Sequence, residues 1–156
     1  MTARSKTPDI DQIAVARLRR LGQRLTPRRH SLLEILRSAG HPLTIHEILE
    51  RGVGLAMSSA YRNLTVLEQA GIVHRMITRE DFARYELAEE ITEHHHHLVC
   101  SSCGLVRDLP SDLTLERLMR AASARASKER FTPIAHRLDI IGLCETCSKE
   151  AARGAL

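Results

Sequence analysis

Four cysteines in two identical pairs are the strongest candidates for chemistry in this chain. Cys100 and Cys103 form one Cys-x-x-Cys pair, and Cys144 and Cys147 form a second after forty intervening residues. Each pair can chelate one metal ion through a tight turn, and two pairs complete a closed tetrahedral site, for which zinc is the usual metal. The spacing therefore predicts a structural zinc. The alternative is a redox dithiol, which the two pairs and the lack of a thioredoxin-like context disfavour.

Four consecutive histidines, His94 to His97, precede the first cysteine pair. Successive side chains of a β-strand point to opposite faces. A strand here would place His95 and His97 on one face and His94 and His96 on the other. The run therefore predicts two further metal positions, one on each face. The simpler alternative is that one histidine pair binds metal and the other is exposed.

An acidic residue ahead of the histidines can join one of these pairs. Glu86, in the stretch RYEL, can bind a metal together with His95 and His97. A predicted boundary between the two halves of the chain falls between Glu86 and the histidines. A metal at this position could set the angle between the halves and so switch the affinity of the protein for a ligand.

Three residues in the second half can serve the other pair, His94 and His96. They are His136, on a predicted strand, and the carboxylates Glu116 and Asp108. Imidazole and carboxylate ligands suit Fe(II), Mn(II), Ni(II) and Zn(II) alike, so these residue types do not select one metal. The chain has no cysteine beyond the two pairs, which argues against a sensor site containing a thiolate.

Composition and charge limit the classes of protein that are possible. The 156 residues make one domain or two small ones, and with 43% hydrophobic but only 3% aromatic residues the core must be aliphatic. Residues 1–62 hold eleven Lys/Arg and five Asp/Glu, a balance of +6, whereas residues 63–156 hold twelve and fourteen, a balance of −2. The basic first part indicates an anionic partner, with nucleic acid foremost; the alternative is a solvated basic surface.

The chain carries no signal for a membrane or for secretion. Its apolar runs are too short to cross a bilayer, and the first residues, MTARSKTPDIDQ, lack an apolar segment of the secretory type. We therefore expect a cytoplasmic protein with no membrane partner. In that reducing compartment, paired cysteines are more often metal ligands than disulfides.

Helix signals in the first half predict a DNA-binding module. The predicted helices span residues 9–22, 26–40, 44–52 and 58–71, with boundaries marked by Gly22, by Thr26, Pro27 and Gly40, by Thr44 and Gly52, and by Ser58 or Ser59 and Gly71. Two short β-like stretches, 72–80 and 83–87, then form a predicted hairpin around Glu80–Phe82. Helices followed by such a hairpin are typical of a winged helix-turn-helix.

The fourth predicted helix would enter the major groove of DNA. Its first turn offers Ser58, Ser59, Tyr61 and Arg62. Small hydroxyl residues allow close approach, and Tyr61 and Arg62 can reach phosphates or base edges. The structural alternative is that the serines cap the helix and Tyr61 packs against its neighbours.

The second half is predicted to be a separate α/β domain. A strand from the histidine run returns as LVRDL, a helix follows over residues 110–131, and the stretch 136–144 alternates as a strand before a short polar end. Exposed strand edges could pair across a two-fold axis, which predicts a homodimer. The fold class is thus α+β: a winged-helix DNA-binding domain (1–88), a hinge (89–93), and an α/β dimerisation and metal-binding domain (94–156).

Five stretches together resemble the ferric uptake regulator family of metal-sensing repressors. They are RLTPRR (24–29), SSAYRNLTVLEQAGIV (58–73), RYEL (84–87), HHHHLVCSSCG (94–104) and HRLDIIGLCETC (136–147). The resemblance covers nearly the whole chain. It implies a dimeric winged-helix repressor with zinc on the four cysteines and a hinge metal that closes the dimer onto a palindromic operator.

The resemblance also implies roles for particular residues. The hinge site would take His41 in addition to Glu86, His95 and His97, with His46 as a competing candidate. The second site would take His94, His96 and His136 with Glu116, for which Asp112 or Asp108 could substitute. In RLTPRR, Arg24 and Arg28 would contact DNA. The sensed metal stays open, with iron, or peroxide through bound iron, favoured over zinc, manganese or nickel.

Two other functions compete with this interpretation. A zinc hydrolase could use an open site of two histidines and a glutamate, but the sequence contains no HExxH and no second carboxylate at a useful spacing. A metal-storage or delivery protein would bind metal without salt-dependent affinity for DNA. We therefore expect a regulator and not an enzyme.

Overall fold

The structure is a computed structural model that describes residues 9–52, 54–77, 83–92 and 94–154. The chain divides into two compact units, Met1–Glu93 and His94–Leu156. Among the described residues, the first unit contains four α-helices and three strands, and the second contains three strands and two α-helices. The predicted α+β class is confirmed, and each unit is described by itself below.

The four helices of the first unit follow from their capping residues. They are α1 (Ile10–Arg20), α2 (Pro27–Ala39), α3 (Ile45–Arg51) and α4 (Met57–Gln69). Thr26 accepts a hydrogen bond from the backbone of Arg29 at the start of α2. Thr44 and Glu47 form a reciprocal capping box at the start of α3. Gly40, in the left-handed conformation that favours glycine, ends α2 as predicted.

The predicted cap of α4 is wrong. The helix begins at Met57, and its capping residue is Ala56, which offers no side-chain hydrogen bond. Ser58 and Ser59 therefore lie inside the first turn, because Ala56 is the last extended residue and the helix starts one residue before the serines. The hydroxyl of Ser59 is consequently available to side chains of α2.

A small antiparallel sheet completes the first unit. It contains β1 (Leu43–Thr44), β2 (Val73–Ile77) and β3 (Ala83–Leu87) in the order β1-β3-β2. The strands β2 and β3 are those of the predicted hairpin, whose turn at Glu80–Phe82 lies outside the described residues. A 3₁₀ turn, Glu89–Ile91, occupies most of the predicted hinge, and Glu93 also lies outside the described residues.

Aliphatic side chains fill the interior of the first unit. The cluster includes Leu18 of α1, Leu32 of α2, Ile48 of α3 and Leu64 of α4, all fully buried. Tyr85, on β3, is the buried aromatic residue of this cluster. The aliphatic core expected from the composition is thus observed, and it holds α4 against the other helices.

The second unit is a three-stranded sheet with two helices. It contains β4 (His95–Cys100), β5 (Val106–Pro110), α5 (Leu113–Lys128), β6 (Asp139–Gly142) and α6 (Glu145–Gly154). The strand β4 lies in the middle, antiparallel to β5 and parallel to β6. The sequence missed α6, which is polar and mostly exposed. The observed last strand, β6, is shorter than the predicted one, and His136 lies before its first residue.

The helix α5 buries no residue of its own in the described structure. Two of its apolar side chains are exposed, Leu113 at 74% and Leu118 at 64% of their possible surface. The edge strand β6 likewise exposes Ile140 and Ile141. Within the described ranges there is no helix that combines the length and the apolar character needed to cross a bilayer.

Candidate metal centres and nucleic-acid surface

The four cysteines converge at one end of the second sheet. Cys100 ends β4, Cys103 lies in the following turn, and Cys144 and Cys147 lie just before and within the first turn of α6. Their sulfur atoms all lie within 4.8 Å of one another, and Cys103 Sγ is 3.8 Å from Cys144 Sγ. Zinc–sulfur bonds of about 2.3 Å place the corners of a tetrahedron about 3.8 Å apart. The cluster therefore fits a tetrahedral zinc ion.

The thiols of this cluster have strongly different proton affinities. Backbone N–H groups of Cys103 and Cys144 lower the pKa of Cys100 to about 6. A hydrogen bond with Ser102 lowers the pKa of Cys147, but its contacts with Cys144, its burial and the other thiols outweigh this and raise the pKa to about 12. One thiolate thus forms readily, whereas further negative charge needs a cation to balance it.

The second ligand group lies on one face of β4. Glu116, on α5, has its Oε1 atom 3.1 Å from His96 Nε2 and 3.3 Å from His94 Nε2. His136 Nε2 lies 3.1 Å from His94 Nε2 and 3.5 Å from Glu116 Oε2. Metal–ligand bonds of about 2.0–2.2 Å place neighbouring ligand atoms about 3.0–3.5 Å apart. The four residues therefore fit one divalent ion.

The third ligand group lies on the opposite face of β4. His95 and His97 have ring centroids 4.9 Å apart, and His97 faces Asp108 across the β4–β5 pairing. The ligand atoms of these three residues lie within 4.8 Å of one another. Asp108 was expected as a substitute for Glu116, and this is wrong, because its position on β5 is opposite His97. Asp112, the other expected substitute, caps α5 instead.

One carboxylate near these histidines was not expected from the sequence. Asp139, the first residue of β6, has its Oδ1 atom 3.4 Å from His97 Nδ1 and pairs with Arg137 at 2.8 Å. The parallel register of β4 and β6, which places His97 beside Asp139, could not be read from the sequence. Asp139 thus lies at ion-pair distance from the His97 ring and can help to orient it.

The other residues expected at the hinge site, Glu86, His41 and His46, belong to the first unit. Glu86, on β3, is buried, and its Oε1 atom is 3.3 Å from Nδ1 of His74, its partner on β2. His41 is half-buried with Nδ1 2.7 Å from the carbonyl oxygen of Ala39, and His46 is exposed on α3.

The residues expected to contact DNA lie on α4 and at the start of α2. Tyr61, Arg62 and Ser58 are exposed on α4. Arg24 and Arg28 are also exposed, and Arg28 Nη1 lies 3.5 Å from Ser59 Oγ. Arg28 thus lies beside the first turn of α4. The helix pair α3–α4 in front of a β hairpin gives this unit the arrangement of a winged helix.

The first unit is a winged helix-turn-helix, and the second contains three groups of candidate metal ligands. This combination defines a class of regulator in which metal binding controls DNA binding. The model of the ferric uptake regulator family matches residues 20–141 of this chain. The chain belongs to that family.

Individual relatives agree with this assignment. The ferric uptake regulation protein of Synechococcus elongatus is 31% identical over 140 residues, which are 86% of this chain and 92% of that protein. The peroxide operon regulator of Bacillus subtilis is 31% identical over 143 residues, 88% of this chain and 92% of that protein. The solved ferric uptake regulator of Vibrio cholerae is 28% identical with a TM-score of 0.64, over 81% of this chain and 96% of that one. The chain is a metal-responsive transcriptional regulator.

Proposed function

We propose that this chain is a cytoplasmic, metal-dependent repressor that binds a palindromic operator as a homodimer. The observation that carries the proposal is the use of both faces of β4 for histidine ligand groups, in a chain whose other unit is a basic winged helix. Contact with DNA does not require metal ligands, so two such groups on one strand favour a function that depends on metal binding. The role is binding, with no catalytic step.

We assign each ligand group a part in this function. The cysteines Cys100, Cys103, Cys144 and Cys147 hold a structural zinc. His95, His97 and Asp108 hold the regulatory metal together with Glu86 and His41, for which His46 is the alternative. His94, His96, Glu116 and His136 hold an additional metal. Residues 1–88 and 94–156 act as the two domains, and 89–93 is the hinge between them.

The regulatory group would act by favouring one arrangement of the two domains. When bound, a divalent ion supplies the positive charge that lets buried carboxylates and imidazoles share one position. Glu86 belongs to the DNA-binding domain and His97 to the other, so both can satisfy the same ion only at a restricted angle between the domains. A metal shifts DNA affinity to the extent that it binds that arrangement better.

Iron, directly or as a sensor of peroxide, is the metal we favour. The two relatives described above are named for ferric uptake and for a peroxide operon. The ligand types, imidazole and carboxylate, also accept manganese, zinc and nickel. The proposal therefore leaves the choice among these ions to measurement.

We assign DNA contact to the first unit and dimer formation to the second. α4 would enter the major groove with Tyr61 and Arg62 at base edges or phosphates, and Arg24 and Arg28 would hold the backbone. The exposed apolar side chains of α5 and β6 would meet their copies in a second chain. Two α4 helices related by a two-fold axis then require a palindromic operator.

The test is metal add-back to a chain that keeps the cysteine zinc but is stripped at its other ligand groups. Affinity for the DNA upstream of its own gene is measured at fixed salt with Fe(II), Mn(II), Zn(II) or Ni(II) added singly. We expect one metal to restore tight binding, His97→Ala to abolish this response, and His30→Ala, at a histidine outside the three ligand groups, to retain it. Equal DNA affinity with and without every metal would contradict the proposal.

A further inference from the structure

Arg29 is a buried arginine in the first turn of α2, with 9% of its surface exposed. Its Nε atom donates a hydrogen bond to Asn63 Oδ1 at 3.1 Å. Its Nη1 atom donates to the carbonyl oxygen of Arg24 at 2.6 Å, and Nη2 donates to Gln23 Oε1 at 2.9 Å. These three acceptors are neutral oxygens, so within the described residues the guanidinium connects separate parts of the chain and does not pair with a carboxylate.

The three acceptors belong to two different parts of the DNA-binding unit. Gln23 and Arg24 lie in the segment between α1 and α2, and Asn63 lies on α4. Asn63 in turn donates through Nδ2 to the carbonyl oxygen of Ser59 at 2.8 Å. One buried side chain therefore connects the loop that carries Arg24 with the first turns of α4.

The same network reaches the neighbouring arginine. Arg28 is exposed, and its Nη1 atom lies 3.5 Å from Ser59 Oγ, to which Asn63 Nδ2 also lies at 3.4 Å. The two adjacent arginines thus have opposite environments: Arg28 faces solvent and Arg29 faces inward. Only the exposed one can reach a phosphate.

We propose that Arg29 is a positioning residue for DNA recognition. It fixes α4 relative to the loop before α2, so that Arg24, Arg28 and the side chains of α4 meet DNA in one register, while Arg29 itself touches no DNA. The inference rests on the proposed function, because it assumes that α4 reads the operator.

The guanidinium group is required for this role. Its planar fork carries five N–H donors in fixed directions, and here it serves acceptors on two segments at once. The ammonium of a lysine keeps the charge but cannot reproduce that geometry. Arg29→Lys therefore separates the positioning of α4 from the net charge of the unit.

The experiment compares binding to two duplexes over a range of salt concentrations. One duplex is selected from a random pool by the metal-loaded wild-type chain, and the other has random sequence. Arg29→Lys is compared with Arg28→Ala, its exposed neighbour, and thermal unfolding and circular dichroism establish that each variant is folded at the assay temperature.

Positioning and direct contact give different results. For Arg29→Lys we expect about tenfold weaker binding to the selected duplex, comparable to losing one base contact, with an unchanged salt slope and random-sequence affinity within about twofold. For Arg28→Ala we expect weaker binding to both duplexes and a salt slope smaller by about 0.9.

Two results would overturn the inference. Affinity for the selected duplex within about twofold of wild type, in a folded Arg29→Lys chain, would mean that Arg29 only stabilises the unit. A fall in random-sequence affinity together with the salt slope would mean that Arg29 contacts phosphate. By contrast, absence of any salt-dependent DNA binding by the wild-type chain would overturn the proposed function itself.

A second variant decides the question if Arg29→Lys does not fold. Asn63→Ala removes the α4 end of the network and keeps Arg29. We expect it to weaken binding to the selected duplex and leave the salt slope unchanged, and unchanged binding would count against positioning. Where both variants fold, the double variant should be no weaker than the weaker single one, because both remove the same connection.

Discussion

The interiors of the two units are filled with different kinds of side chain. In the first unit, aliphatic residues from all four helices and the sheet form one buried cluster. In the described part of the second unit, the buried side chains include His96, His97, Cys100 and Cys147, and α5 buries none of its residues. The cluster of the first unit is almost entirely apolar, whereas candidate metal ligands stand beside Val99 and Val106 among the buried residues of the second unit.

This difference indicates what each unit needs in order to fold. Burial of apolar surface stabilises the first unit without any ligand. The second unit has little of that stabilisation, and small domains of this kind gain stability from metal ions and from association with another chain. We therefore expect the first unit to fold without a ligand and the stability of the second unit to depend on what it binds.

Loss of the cysteine zinc should have the largest effect on this contrast. Structural zinc contributes about 10–16 kcal/mol of apparent binding free energy. We expect Cys147→Ser to release zinc and to unfold residues from 94 onwards, while the amides of α2 and α4 stay protected in hydrogen exchange. Thr146→Ser, between the two cysteines of that pair, serves as the control. Equal loss of protection in both units would contradict the difference described here.

A cavity in the aliphatic core should have the next largest effect, confined to the first unit. Leu64 is fully buried on α4, and Leu64→Ala should lower the free energy of unfolding of that unit by about 2–5 kcal/mol. Its exposed neighbour variant, Thr65→Ala, should change it by less than about 0.5 kcal/mol. Urea unfolding with zinc retained measures both. A similar loss from the two variants would show that the core is not close-packed.

The capping box of α3 supplies a smaller, pH-dependent contribution. Burial raises the pKa of Glu47, but hydrogen bonds from Thr44 and the positive charges of Arg84 and His41 outweigh it, so the pKa lies below its ordinary value of 4.5. The stabilisation is therefore complete above that value and is lost as the pH falls through the lowered pKa.

We expect Glu47→Gln to destabilise the first unit by less than about 1 kcal/mol at pH 7, since the side chain is 37% exposed and partly screened. The difference from wild type should vanish in acid. Chemical unfolding at a series of pH values tests this, with exposed Glu50→Gln on the same helix as the control. A difference that persists in acid would assign the effect to packing rather than to charge.

The smallest effect on the folded monomer should come from the exposed face of α5. Leu118 is 64% exposed, so Leu118→Asn should change monomer unfolding by less than about 0.5 kcal/mol. The same substitution should weaken the proposed dimer, as measured by sedimentation equilibrium. Substitution of Ser127, an exposed residue nearer the end of α5, by alanine provides the control. An unchanged dimer would place the interface elsewhere.

The first unit was more predictable from sequence than the second. Local signals such as Thr26, Thr44 and Gly40 act through their own neighbours in the chain, and they mark α2 and α3 correctly. The cap of α4 was misplaced, because Ser58 and Ser59 are typical caps that tertiary structure uses otherwise. The buried role of Arg29 was also missed, since nothing local distinguishes it from Arg28.

In the second unit, the strand alternation that separates the histidines was readable, but their partners depended on pairing over long distances. The position of Asp108 follows from the β4–β5 register, and that of Asp139 from the parallel β4–β6 register. Neither register is specified by nearby residues. The helix α6 was not predicted, because its polar sequence lacks the apolar periodicity that indicates a helix.

The alternation of side chains along β4 restricts which mutations this segment can accept. Its three histidines, with His94 just before the strand, alternate between two ligand groups, and the strand ends at Cys100, which belongs to the third group. A substitution at one position alters one group, whereas deletion of a single residue would exchange the two histidine faces and also displace the cysteine pair. Lineages of this protein can therefore change the metal preference of each group by point mutation, but we expect the length of the segment from His94 to Cys103 to stay fixed.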